Sequence, residues 1–200
     1  MKMRGMFEKT IFTIGMTLIS SVPLFAMEFI ADSRIVAAGK VTESKFIYAG
    51  DKWRMEEQHP EGRRIIIFRQ DKKSLYMLWP DKKRYVIQPL PEKEFRIISS
   101  RQPGEEIERI NLGEQTLSGF LTMKSRVKYN IQSKTLTSVE WFSTELGVVI
   151  RSETEDKVYV SELLNIKKVA CDDKLFDAPG DYQPLAAKDV VKSQKQNSKQ

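Results

Sequence analysis

The sequence predicts a mainly β protein built as a single curved antiparallel sheet, an incomplete β-barrel, with one or few short helices. Three observations predict it. From residue 45 to residue 90, runs of β-branched and aromatic residues alternate with short polar turns such as Ala49-Gly50-Asp51, His59-Pro60-Glu61-Gly62 and Gln70-Asp71-Lys72-Lys73, the pattern of a hairpin meander. Residues 120–129 alternate with period two, Leu121, Met123, Val127 and Tyr129 against Thr122, Lys124, Arg126 and Lys128, as a half-solvated strand requires. Only residues 91–100 read as helix, with Phe95, Ile97 and Ile98 set among charges behind Pro91.

Taken in order, the first strands are 29–36 and 40–48, with Gly39 at the turn between them. The meander continues through 52–56, 64–68, 75–79 and 85–87. Pro89 and Pro91 end it, because proline cannot donate to a ladder. After the 91–100 helix and a loop at 101–104, strands follow at 106–110, 120–129, 136–142, 147–153 and 157–166. About ten strands, each beside its predecessor, make one large sheet that twists and curls. The strands at 64–68 and 75–79 are apolar on both faces, so something must cover the convex or the concave side, and one short helix cannot fill that space alone.

The ends have their own grammar. Residues 1–26 carry Lys2, Arg4 and Lys9 ahead of an uncharged run and the small Ala26, which is the pattern of a signal peptide cleaved near Ala26. Position 27 is methionine, so no lipoprotein anchor is indicated, and an exported, periplasmic domain over 27–185 is expected. Residues 186–200 hold four lysines against one aspartate and little to bury. They read as a disordered basic tail whose removal leaves folding unchanged. Both ends are basic, so the formal charge of +6 leaves about +1 for the domain between them. That balance argues against nucleic acid as a partner.

Catalytic patterns are weak. Cys171 is the lone cysteine and His59, the lone histidine, lies in a turn, so neither a disulfide nor a thiol–imidazole pair is indicated. Ser125 and Lys128 have nucleophile-and-base spacing only on a helix; on a strand they face apart. The acid pairs Glu56-Glu57, Glu105-Glu106 and Asp172-Asp173 read as surface charge. No enzyme activity, cofactor or metal site is expected.

What remains is surface. Trp53, Met55, Met77 and Trp79, with Phe46 and Trp141, are the candidates for lining a hydrophobic cavity; ordinary core is the competing reading. Arg64, Arg69, Lys72, Lys73, Lys83 and Arg84 cluster at hairpin ends, where they form either a cationic rim for anionic headgroups or the edge protection that keeps sheets from pairing.

The run Lys52-Trp53-Arg54-Met55-Glu56, then Ile65-Ile66-Ile67-Phe68, Asp71-Lys72-Lys73, Leu75-Tyr76-Met77-Leu78, Pro80 and Tyr85 resembles the periplasmic carriers of outer-membrane lipoproteins and their lipoprotein-sorting superfamily. So does the closing segment, in which Phe176 leads into Pro179-Gly180-Asp181-Tyr182. The resemblance spans residues 28–185 and is closest to the uncharacterised exported branch of that superfamily. It implies a half-barrel whose hollow holds a lipid, a lipidated protein or a hydrophobic protein segment, with a role in lipoprotein or lipid sorting and peripheral contact with the membrane surface. The chain departs from the carriers in reading as strand where they have a long first helix, and in placing Lys72 where their turn has glycine. An envelope sensor or adaptor that uses the same fold to bind a protein partner is the alternative reading.

Overall fold

The computed structural model describes residues 27–60, 62–90, 105–131 and 134–185. These form one sheet of twelve strands: β1 (Glu28–Ala37), β2 (Lys40–Ala49), β3 (Lys52–His59), β4 (Gly62–Arg69), β5 (Ser74–Trp79), β6 (Arg84–Pro89), β7 (Glu105–Leu117), β8 (Phe120–Ile131), β9 (Lys134–Ser143), β10 (Val148–Thr154), β11 (Tyr159–Lys168) and the two-residue β12 (Gln183–Pro184). The helical turns among the described residues are 3-10 turns at Pro80–Lys82 and Asp173–Phe176. The expected helix at 91–100, the signal peptide and the basic tail lie outside the described residues.

Hairpin chemistry explains the two meanders. Ala38 and Gly39 both take positive φ (48° and 79°), as do Ser118 and Gly119 (50° and 84°), the left-handed pair that a two-residue turn needs to match strand twist. β1 to β6 therefore pair in series, as do β7 to β11. The expectation that every strand lies beside its predecessor fails at one step: β6 and β7 lie near opposite ends of the sheet, and β11 returns to pair with β1. The reason is non-local. Joining β1 to β11 buries Phe29 and Ala31 against Leu146, Val148, Ile150 and Leu163, and no local pattern encodes that contact.

The sheet curls toward one face. Between β8 and β11 lie two strands, which would hold them about 14 Å apart if the sheet were flat. Yet the Ser118 hydroxyl at the β7–β8 turn donates to the Leu163 carbonyl at 3.2 Å, and Leu117 and Phe120 pack on the Phe29 cluster. The hairpin tip is folded over that face. This bend also swaps the buried side of β8: Val127 and Tyr129 are fully buried, whereas Leu121 and Met123 are 55% and 40% exposed, although alternation had placed all four together.

The opposite face is closed by the C-terminal segment. Residues 169–185 run as a strap across β2 to β6, driving Phe176 (0% exposed) among Ile47, Ala49, Ile65, Ile67, Tyr76 and Leu78. Burying that ring contributes about 2–3 kcal/mol. Two buried arginines grip consecutive strap carbonyls: Arg54 donates to Leu175 at 2.7 Å and Arg69 to Phe176 at 3.1 Å. Ion pairs Lys52–Asp173, Arg69–Asp177, Lys72–Asp177 and Lys83–Asp181 line its length, and Leu185 N–H closes on the Tyr85 carbonyl.

These pairs make the strap acid-sensitive. Hydrogen bonds from Arg69, Lys52 and Lys83 hold the carboxyls of Asp71, Asp173 and Asp181 below the ordinary aspartate range. Depressed carboxyls stabilise the fold fully above their unfolded value, and this contribution is lost as the pH falls below about 4. Hydrogen exchange at pH 3 and pH 6 is expected to show residues 170–182 losing protection first; uniform loss across the sheet would refute this.

Candidate functional site

Register decides which side chains share the concave face. Phe29, Tyr48, Trp53, Phe68 and Leu75 are successive cross-strand partners from β1 to β5, and opposite partners lie on one side of a sheet. Ala31, Phe46, Met55, Ile66, Met77 and Val86 form the parallel row beside them. The rings make a continuous ladder: Phe29–Tyr48 centroids lie 5.2 Å apart, Phe46–Trp53 5.9 Å, and Trp53–Phe68 stack at 3.9 Å. Toward β10 the face is dry core; over β3 to β5 Trp53, Met55, Ile66, Phe68, Leu75, Met77 and Trp79 are only half-buried.

Five of the six predicted cavity residues, Phe46, Trp53, Met55, Met77 and Trp79, therefore lie on this one face. Trp141 does not join them. It sits opposite Lys124 and Arg151, in the row that continues through Glu162 to Arg34, and Arg34 points away from the Ala31–Phe46 side of β1. There its indole N–H donates to Gln115 at 2.9 Å and its ring lies beneath Lys124 and Arg151.

The predicted cationic rim is divided between roles. Arg69 is 5% exposed, held by Asp71 and Asp177 beneath the strap, with its guanidinium pushed above even the usual arginine range by the bond to Asp71. Lys72 and Lys83 also bind strap aspartates. Arg64 is paired with Glu57, Lys73 occupies a left-handed turn position (φ 47°), and Arg84 lies opposite Trp79. Most of these charges fasten the protein to itself.

Sequence reasoning missed the polar half of the concave face. Glu140 (2% exposed) accepts from the Tyr129 hydroxyl at 2.6 Å and from Arg109 at 3.2 Å. Burial pushes the Glu140 carboxyl up, against the pull of Tyr129 and Arg109, and raises the Tyr129 hydroxyl as well. The only sequence signal was a glutamate within the strand pattern of 136–142. The other reactive groups are quiet: burial and the nearby Glu28 raise the Cys171 thiol, which disfavours the nucleophilic thiolate. Among the described residues no cluster of three or more His, Cys, Asp or Glu is placed to hold a metal, and no helix is long and apolar enough to cross a membrane. A cleft of about 500 Å³ lies beside the β11 bulge at Asn165, lined by Ile30, Asp32, Lys45 and Lys167; the Lys45 and Asn165 bonds hold Asp32 below the usual range.

Known structures share this architecture. An uncharacterized conserved protein from Thermus thermophilus superposes with a TM-score of 0.54 at 12% identity, over 80% of this chain and 90% of that one. MucB superposes with a TM-score of 0.55 at 9% identity, over 81% of this chain and 61% of MucB; in the Pseudomonas aeruginosa MucA/MucB complex the score is 0.53 at 9% identity, over 82% and 59%. PNGF-II matches at 0.50 and 13% identity, over 84% of this chain and 32% of that one. The chain thus spans about three-fifths of MucB and a third of PNGF-II, and at these identities the likeness is one of fold. No curated protein matches it in sequence. The family model described as Domain of unknown function (DUF4412) matches residues 33–149, from β1 to the start of β10 and more than half of the chain, and the protein belongs to that family.

Proposed function

We propose that this protein is a non-enzymatic binding protein of the periplasm that holds an acyl chain, or a lipidated or hydrophobic protein segment, against the concave aromatic face of its sheet. The observation that carries this is an asymmetry of cover. On the strap face every large apolar residue of β4 and β5 is buried beneath Phe176 and its neighbours, whereas on the concave face the side chains of the same two strands, Ile66, Phe68, Leu75, Met77 and Trp79, remain half-exposed. Apolar side chains left partly exposed side by side on a concave face make a candidate binding surface. The resemblance to lipoprotein carriers supports a lipid or lipidated ligand and a place in lipoprotein or lipid sorting.

The rival is an envelope sensor or adaptor. It draws on the likeness to MucB, which forms a complex with MucA, and on the edge strand β7, where Ile107, Ile110 and Leu112 are 56%, 42% and 42% exposed. Mass spectrometry of an organic extract of the protein purified from its native envelope separates the two. Co-purifying acyl lipid at near-stoichiometric amount is expected; lipid-free protein recovered with a stable protein partner would favour the adaptor.

A further inference from the structure

One arginine of the hairpin ends stays uncommitted on the concave face. Trp79 and Arg84 are cross-strand partners of β5 and β6, as are Met77 and Val86, and opposite partners point to one side of a sheet. Arg84 therefore stands on the side of Met77 and Leu75, at the end of the half-buried apolar run along β5. It is exposed, and among the described residues its side chain has no hydrogen-bond or ion-pair partner. Gln183 of β12 lies beside it in parallel register and is exposed as well.

The described acids at this end of the sheet are held elsewhere. Glu57 pairs with Arg64 and Asp181 with Lys83, and Asp81 accepts the Arg63 N–H at 3.0 Å. Glu56, on the other face, pairs with Arg54 and Arg63. Lys82, in the 3-10 turn between β5 and β6, adds a cation without an ion pair among the described residues. Lys73 lies at the far end of β5, in the turn that carries Asp71. The rim around Trp79 thus keeps positive charge that no described carboxylate neutralises, and register places the guanidinium of Arg84 over the hollow.

A guanidinium offers a planar fork of donors that fits two oxygens of a carboxylate or a phosphate, and an amide beside it adds a further donor. From Trp79 through Met77 to Leu75 the concave side of β5 then offers apolar surface for about 13 Å. A free cation at the open end of an apolar track matches a molecule with one acyl chain and an anionic head.

We propose that Arg84, with Gln183 beside it, is the head-group subsite of the concave face: it holds the oxyanion of a single-chain amphiphile, a carboxylate or a phosphate monoester, whose acyl chain runs over Trp79, Met77 and Leu75. This rests on the binding role proposed above for that face and names its ligand class as anionic.

The test is displacement of the neutral fluorescent probe N-phenyl-1-naphthylamine from the full chain by dodecanoate, by dodecyl phosphate and by the neutral monododecanoylglycerol. Arg84→Gln is expected to weaken competition by the two anions about fivefold, the scale of one charged pair at an exposed site, and to leave the probe and the neutral ligand unchanged. Loss for only one of the anions supports the subsite and identifies its head. Lys82→Gln, which moves the same charge off the hollow, is expected to leave all three ligands unchanged. Competition by the anions that Arg84→Gln does not alter, an equal loss for the neutral ligand, or an equal loss in Lys82→Gln overturns the subsite but leaves the apolar face intact. The melting temperature of Arg84→Gln is expected to stay within about 2 °C of the parent, because the side chain has no partner in the fold; a fall of more than about 5 °C would give Arg84 a structural role and overturn the subsite. Failure of the probe to bind the parent chain overturns the binding role of the face, and the subsite with it.

Discussion

Replacing Arg69 by methionine is expected to lower the melting temperature by roughly 10 °C, the largest stability effect of any single charged residue in the domain. The side chain is 5% exposed and makes four contacts of different kinds: two bonds to Asp71 at 2.8 and 2.6 Å, one to the Phe176 carbonyl at 3.1 Å, and an ion pair with Asp177 at 3.0 Å. Methionine fills much of the same volume, so the loss is not a cavity. It is the loss of the donor to the Phe176 carbonyl, at the point where that ring enters the core, together with ion pairs to the partly exposed Asp71 and Asp177. Leaving a buried carbonyl without its charged donor costs about 1–3 kcal/mol and the partly exposed pairs add about 1 kcal/mol, and each kcal/mol shifts the midpoint of a domain this size by about 2–4 °C. Arg69→Lys keeps the charge without the planar fork and is expected to fall between the two. A double substitution with Arg54→Met tests whether the two arginines act as one clamp: they hold adjacent carbonyls, so their effects should not add. A thermal shift under 3 °C for Arg69→Met would mean that the strap is held by Phe176 alone.

The strap also shows where sequence ceases to be legible. Strands and tight turns carry local signals, because period two and left-handed residues such as Gly39 and Gly119 act over a few positions. The half-barrel class follows from them. The strap has no period: between 169 and 185 a single fully buried ring, Phe176, carries the packing, and nothing near Arg69 or Lys72 in the chain announces that Asp177 lies against them. Basic residues at hairpin ends therefore looked like a rim for anions, although Arg69, Lys72 and Lys83 meet acids more than ninety residues away. The aromatic half of the concave face is readable in part for the opposite reason: alternation puts Trp53 and Met55 on one side of β3 and Met77 and Trp79 on one side of β5, and the register through Ile66 of β4 brings both pairs to the same face. Trp141 was misplaced with them because the face it occupies is set by the pairing of β9 with β8 and β10. Buried Glu140 is not legible in the sequence, since a glutamate in a strand looks the same whether it faces water or the core.

Replacing Met77 by glutamate is expected to reduce the affinity for a neutral acyl probe by more than about tenfold while leaving the sheet folded. Met77 lies in the middle of the second concave row, opposite Ile66 on one side and Val86 on the other. It is half-buried and faces away from the strap, so the new carboxylate reaches water in the free protein at small cost. An acyl chain laid along the row would have to cover that carboxylate or leave its own methylenes against it, and burying an unpaired charge costs more than one tenfold step of 1.4 kcal/mol. Trp79→Glu, at the end of β5, tests the same surface one register step away and is expected to weaken binding as well. Ile87→Glu is the control: that residue is 46% exposed on the strap side of β6, and the substitution adds the same charge without touching the hollow. If Met77→Glu and Ile87→Glu bind the probe alike, and both melt near the parent temperature, the concave face is not where the ligand lies. If Met77→Glu instead unfolds while Trp79→Glu folds and still binds, the second row is core and the half-exposed aromatic ladder holds no acyl chain. The expected pattern, loss of binding on the concave face with retention of the fold, is one that a purely structural aromatic core cannot produce, because a core residue that tolerates a charge has no reason to lose a ligand.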